Sequence, residues 1–171
     1  MNDELRRRVE RIRAVLADRD DGIVLGDFPP GRTVEAAGLP PGLAEVVAIT
    51  EGPRAGDLVL LKADRIGEPE IPLDEVAADV PDPGNWVHVG ARNYEPLLAN
   101  ATTGEVWWFP DTGVVWYESH LFEKLADNPA DLVLDYLLGD GYLDIAGPDD
   151  WSALLVALGW AEDDEDDEPG G

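Results

Sequence analysis

The sequence predicts an α+β domain, a central antiparallel β-meander sheet flanked by helices, and three observations carry that prediction. Four of the six tryptophans fall in Trp86–Tyr117, WVHVGARNYEPLLANATTGEVWWFPDTGVVWY, where four short β-type runs are separated by turn residues. Apolar residues recur at helical spacing on both sides of that stretch. Fourteen prolines and eighteen glycines are scattered through 171 residues, as punctuation between many short elements and not as low-complexity sequence. A chain of this length forms about one domain. The expected organisation is an amphipathic N-terminal helix in 1–20, the α+β domain over 21–160 and a disordered acidic tail over 161–171.

Residues Asp3–Ala17 give the clearest helix, with Leu5, Val9, Ile12 and Leu16 on one face and Asn2 or Asp3 available as cap. Five of the twelve basic residues lie in it, and a solvated face that offsets an acidic body explains them better than a nucleic-acid arm. GIVLGDF, Gly22–Phe28, reads as a strand or extended lead-in stopped by Pro29-Pro30-Gly31. A second helix is expected from Pro41 to Ile49, since a first-turn proline gives up an N–H that has no helical partner. Leu58–Lys62 is a strand candidate. Residues 63–85 then turn acidic and proline-rich, which predicts a long surface connection with one helical turn in Leu73–Ala78 and marks a candidate contact segment.

Within the meander, turns are expected at Arg92–Pro96, Thr102–Gly104 and Pro110–Gly113. In EVWWF the pleat sends Val106 and Trp108 to one face and Trp107 and Phe109 to the other, so both faces are apolar. Such a strand is either covered twice or offers an aromatic face to a partner. Three helices are expected to follow: one capped by Ser119 and running through Leu121, Phe122 and Leu125, one over Ala130–Leu138, and one capped by Asp149 or Asp150 and ending at Gly159.

Absence of cysteine excludes disulfides, thiolate nucleophiles, Cys-ligated zinc and iron–sulfur clusters. No apolar run approaches the roughly 18 residues of a membrane span, and a charged helix stands where a signal peptide has its apolar core, so a cytoplasmic location is expected. Against 12 basic residues stand 37 acidic ones, a net charge of −25. Such a field repels nucleic acid and anionic membranes and steers basic partners. Seven of the carboxylates lie in Glu162–Glu168, and the rest of the chain is acidic in its own right.

Catalytic motifs find little support. Asp111-Thr112-Gly113 spells the aspartic-protease triplet, but a single copy cannot form the shared-proton pair by itself, and its spacing suits a hairpin turn. His88 and His120 stand 32 residues apart with no HExxH, so strand and cap roles are expected and no metal or other cofactor. No G-x-S-x-G elbow, P-loop or G-x-G-x-x-G occurs. A non-enzymatic protein is expected, with a hydrolase as the remote alternative.

A helix beginning LPxxL and ending in EG, a strand carrying WVHVG, a hairpin LLANATTGEVW and the segment SHLFEKL, read as a capped helix, together resemble the SUKH superfamily, the bacterial relatives of the Smi/Knr regulators, over Leu39–Leu138. The resemblance implies an α+β fold and a binding role without catalysis. Most bacterial members look like immunity proteins that neutralise polymorphic toxins, often nucleases, by direct binding. An acidic surface suits that task, because a nuclease is basic around its cleft. The expected partner is therefore a basic, nuclease-type protein toxin, and neither nucleic acid nor membrane. The expected contacts are Asp64, Glu68, Glu70, Asp74 and Glu75 of the acidic connection with Tyr94, Trp107 and Phe109 of the meander. The alternative is an intracellular adaptor or regulator of the same fold with a housekeeping partner.

Overall fold

The computed structural model describes residues 2–20, 25–110, 112–146 and 148–162. Seven strands form one sheet whose spatial order follows the chain: β1 (Gly26–Asp27), β2 (Arg54–Ala55), β3 (Leu58–Leu60), β4 (Trp86–Arg92), β5 (Glu95–Asn100), β6 (Val106–Trp108) and β7 (Glu123–Ala126). Every neighbouring pair is antiparallel. The α+β meander is thus as expected, but it extends beyond 86–117 in both directions.

Alternation along β5 shows why the sheet is apolar on both faces. Leu97 and Ala99 point to a core shared with the helices, whereas Leu98 joins a second cluster on the opposite face. On the helical side, α1 (Asp3–Ala17) inserts Leu5, Val9 and Ile12, each 0% exposed, and α2 (Leu43–Ile49) adds Leu43, Val46, Val47 and Ile49. The acidic body uses its basic helix structurally. Arg13 donates to the carbonyls of Phe28, Pro29 and Ile49 at 2.6–2.8 Å, and Arg8 donates to Leu138 O and lies 5.0 Å over the Trp160 ring. The N-terminal helix therefore packs within the domain's main core.

After β7 the chain closes that core. Asn128 caps α3 (Pro129–Asp131) by accepting from Asp131 N–H, and the helix widens into a π-turn over Leu132–Leu137, where Leu138 N–H reaches back to Val133 O. Short helix α4 (Tyr142–Ile145) and α5 (Asp150–Ala157) follow, the latter with a reciprocal capping box between Asp149 and Ser152. Asp149 also accepts from the Tyr142 hydroxyl at 2.5 Å, and burial pushes that phenol's pKa up. Trp151, 1% exposed, stacks on Phe28 and donates to Leu137 O.

Several elements differ from expectation. Val114–Tyr117 is not a strand: Trp116–Glu118 is a 3₁₀ turn, and β6 pairs instead with β7. The helix expected from Ser119 is likewise absent. Buried Ser119 accepts from Leu121 N–H through its hydroxyl, as a helix cap does, but the chain then extends so that Phe122 reaches the aromatic cluster and Glu123–Ala126 satisfies the open edge of β6. The turn expected at 92–96 narrows to Asn93-Tyr94, with Pro96 buried inside β5. Leu73–Ala78 forms bends and a turn with no helix, and α4 had no anticipated counterpart. Residues 22–24 of GIVLGDF, Asp111 of the Pro110–Gly113 turn and residues 163–171 of the acidic tail lie outside the described residues.

At the Thr102–Gly104 turn, Asn100 Oδ1 accepts from Thr102 and Thr103 N–H, and Gly104 sits at φ 81° where a Cβ would lie 2.5 Å from Pro41 O. Only glycine meets both demands. We expect Arg13→Met to cost about 2–3 kcal/mol, because it strands carbonyls now served by a charged donor. Arg11→Met on the exposed face should stay within about 0.5 kcal/mol by denaturant titration.

Candidate interaction surface

Strand register places the first part of the surface. Arg92 pairs with Glu95, leaving a two-residue loop in which Asn93 has φ 47° and Tyr94 φ 74°. Both positive angles belong to a type I′ turn, whose twist matches that of the flanking strands. Asparagine tolerates this region, but tyrosine brings its Cβ close to the following carbonyl at a cost of about 1 kcal/mol. Its ring earns nothing back by burial, being 95% exposed. Arg92 braces the tip, donating to Glu95 and to Ile145 O and lying 5.2 Å over Trp108.

Chain geometry after Gly113 supplies the second part. Trp116 turns inward onto Phe109, with ring centroids 5.2 Å apart, and its neighbours Val114, Val115 and Tyr117 are left outside. Tyr94, Glu95, Val114, Val115 and Tyr117 line a shallow depression of about 510 Å³. Among the described residues, the large hydrophobic side chains most exposed to solvent are Tyr94, Val114, Val115 and Tyr117, which lie in these two parts, and Leu121, four residues further on. Single exposed apolar residues are ordinary, whereas a grouping of this kind makes this surface the candidate interaction site.

A backbone hydrogen bond joins the acidic connection to this segment. Ala77 N–H donates to Tyr117 O at 3.0 Å, tying the acidic connection to the apolar segment. The connection is also fixed to the sheet: His88 N–H donates to Gly67 O, Trp86 Nε1–H donates to Pro81 O at 2.7 Å, and Leu73 and Ala78 are buried in the second cluster. Asp64, Glu68, Glu70, Asp74 and Glu75 are all exposed, and Glu68 and Asp74 line one cleft together. The result is an apolar patch joined at Tyr117 to an acidic segment whose backbone is held to the sheet.

The other two aromatics expected in this role sit elsewhere. Phe109 is 0% exposed and cannot touch a partner, because Trp116 and Phe122 close over it from the segment that follows. Trp107 is half-buried on the same face, packed edge-on to Trp86 at 5.6 Å and against Phe122 at 5.2 Å. Val114, Val115, Tyr117 and Leu121 were not anticipated. Their signal was the run VVWY beside a turn, which lacks the polar alternation of a strand with one wet face.

His88 stands in β4 with its Nε2 buried and without a hydrogen-bond partner, and His120 is exposed at the bend before β7. Among the described residues no group of three or more His, Asp or Glu is placed to hold a metal ion, and no helix is long and apolar enough to cross a membrane. Comparison with known protein families, with curated proteins and with solved structures finds no match to this chain.

Tyr94 yields a prediction that needs no partner. Tyr94→Gly should stabilise the fold by about 0.5–1 kcal/mol by relieving the left-handed backbone, where Tyr94→Ala should not. Parallel thermal and urea melts of the two variants check this.

Proposed function

We propose that the chain is a non-catalytic immunity protein that binds a basic, nuclease-type toxin in the cytoplasm and neutralises it by covering its cleft. The observation that carries the reading is the join between the two halves of the surface. Exposed Tyr94, Val114, Val115 and Tyr117 supply the apolar centre that protein interfaces need, and the acidic connection tied to Tyr117 supplies a charged flank. Aromatic side chains at such centres contribute most of the binding energy, and complementary charge raises the association rate.

Net charge decides what kind of partner fits. A chain of −25 repels a second copy of itself as well as nucleic acid, so the complement is a basic protein surface. This agrees with the similarity to SUKH immunity proteins seen in the LPxxL, WVHVG and LLANATTGEVW motifs. Part of that similarity is weakened, since SHLFEKL contains strand β7 where the resemblance placed a capped helix.

The test is binding to the product of a toxin gene encoded beside this one, and to a panel of basic nuclease domains. An equimolar complex is expected, with nuclease activity suppressed and affinity falling as salt rises. Tyr94→Ala combined with Val115→Asp should weaken it by about thirtyfold or more, the scale of a buried hot spot near 2 kcal/mol. A folded, monomeric protein that binds none of these toxins overturns the proposal.

A further inference from the structure

A second concavity lies on the acidic connection itself and shares no lining residue with the depression at Tyr94. It encloses about 250 Å³, with Pro69, Pro72, Pro83 and Trp86 among its apolar walls and Glu68 and Asp74 as its charged members. Among the described residues, no basic side chain lines it. Its walls are pre-formed: proline rings have no backbone freedom in φ to lose, and Trp86 is held by its hydrogen bond to Pro81 O. The space is smaller than the roughly 300 Å³ at which small-molecule sites begin, a size that suits one inserted side chain.

Resting on the reading of this chain as a binder of basic proteins, we propose that this cleft receives an arginine side chain of the partner. Charge complementarity selects a cation, since two carboxylates line an apolar slot within a strongly acidic body. Apolar walls reject a bare metal ion, because a divalent cation such as calcium demands six or more oxygen ligands. Among protein cations, arginine fits better than lysine. Its planar guanidinium stacks on flat rings, is weakly hydrated and presents N–H donors to two carboxylates at once, and its methylene stem covers the proline walls. The occupant is not a second copy of this chain, whose own field opposes approach.

Gly84 provides a clean way to close the cleft. It lines the cavity, and a Cβ built there meets no atom within 4 Å, so a larger side chain is accepted at the cavity wall without displacing the fold. The probe is Nα-acetyl-arginine amide, titrated into the isotope-labelled full-length chain at about 0.15 M ionic strength, where diffuse attraction is screened beyond about 8 Å. Saturable shifts are expected at the Trp86 indole N–H and the Gly84 amide, with half-saturation on the order of millimolar. Gly84→Leu should weaken binding by about tenfold or more while melting within a few degrees of the native chain. The double variant Glu68→Gln with Asp74→Asn should do the same, and so should replacing the probe by its neutral citrulline analogue.

Equal binding by the citrulline amide, or shifts spread over the acidic surface and unchanged in Gly84→Leu, overturns the site. A lysine amide that binds as tightly as the arginine amide overturns the guanidinium assignment. The parent reading fails separately. A basic toxin that binds native and Gly84→Leu chains equally keeps that reading and removes the cleft from it, whereas arginine amide bound in the cleft with no basic toxin bound does the reverse.

Discussion

The sheet has an apolar second face that, among the described residues, no α-helix covers, and most of what distinguishes this protein depends on how that face is sealed. Trp86, Leu98 and Phe109 point away from the helices. Leaving them in water would expose an aromatic patch of the kind that drives aggregation. Coverage comes instead from two irregular segments: the acidic connection, which lays Leu73 and Ala78 on the cluster, and the stretch from Trp116 to Phe122, which lays two rings on it. Edge-on and tilted ring contacts at 4.9–5.6 Å bind the lid together. Both segments carry their remaining residues outward. The surface proposed for binding is therefore the outer side of the lid, joined to the hairpin tip, and its geometry is inherited from the packing beneath.

That origin explains which parts of the structure were legible in the sequence. Helix α1 has period-3.6 spacing, with Leu5, Val9 and Ile12 buried on one face, and its observed bounds coincide with the expected ones. Helix α5 was equally legible, because Asp149 and Gly159 mark its two ends with local chemistry. The pleat of Val106–Trp108 was correct as well, since alternation is fixed by strand geometry. Local signals fail between Val114 and Ala126. Val-Val-Trp-Tyr has strand propensity and Ser-His-Leu-Phe-Glu-Lys-Leu has helix propensity, yet they form a turn and a strand. What decides is non-local: β6 needs a hydrogen-bonding partner, and the Trp86–Trp107–Phe109 cluster needs Phe122.

The candidate contacts divide in the same way. Carboxylates of the acidic connection were legible because charge has nowhere else to go than the surface, and Tyr94 because a tyrosine next to asparagine between two strands sits at a hairpin tip. Phe109 was not, since whether one pleat face is covered depends on what the next fifteen residues do. The valines escaped for the converse reason: their run was read as one of the β-type runs of the meander, and in the turn that forms instead Trp116 takes the inner position and leaves them outside.

Arg8 ties the N-terminal helix to Leu138 and Trp160, more than a hundred residues further along the chain. During synthesis, α1 leaves the ribosome long before these partners exist. Its stripe can meet β1 and α2 early, but the part that packs on Leu132–Leu137 stays uncovered until the C-terminal helices arrive, so the domain closes fully only late in translation. Contacts of this range slow folding through the entropy of closing so large a loop. The same span makes Trp160 a natural reporter of completed folding: its cation–π partner is in place only when the two ends of the domain have met.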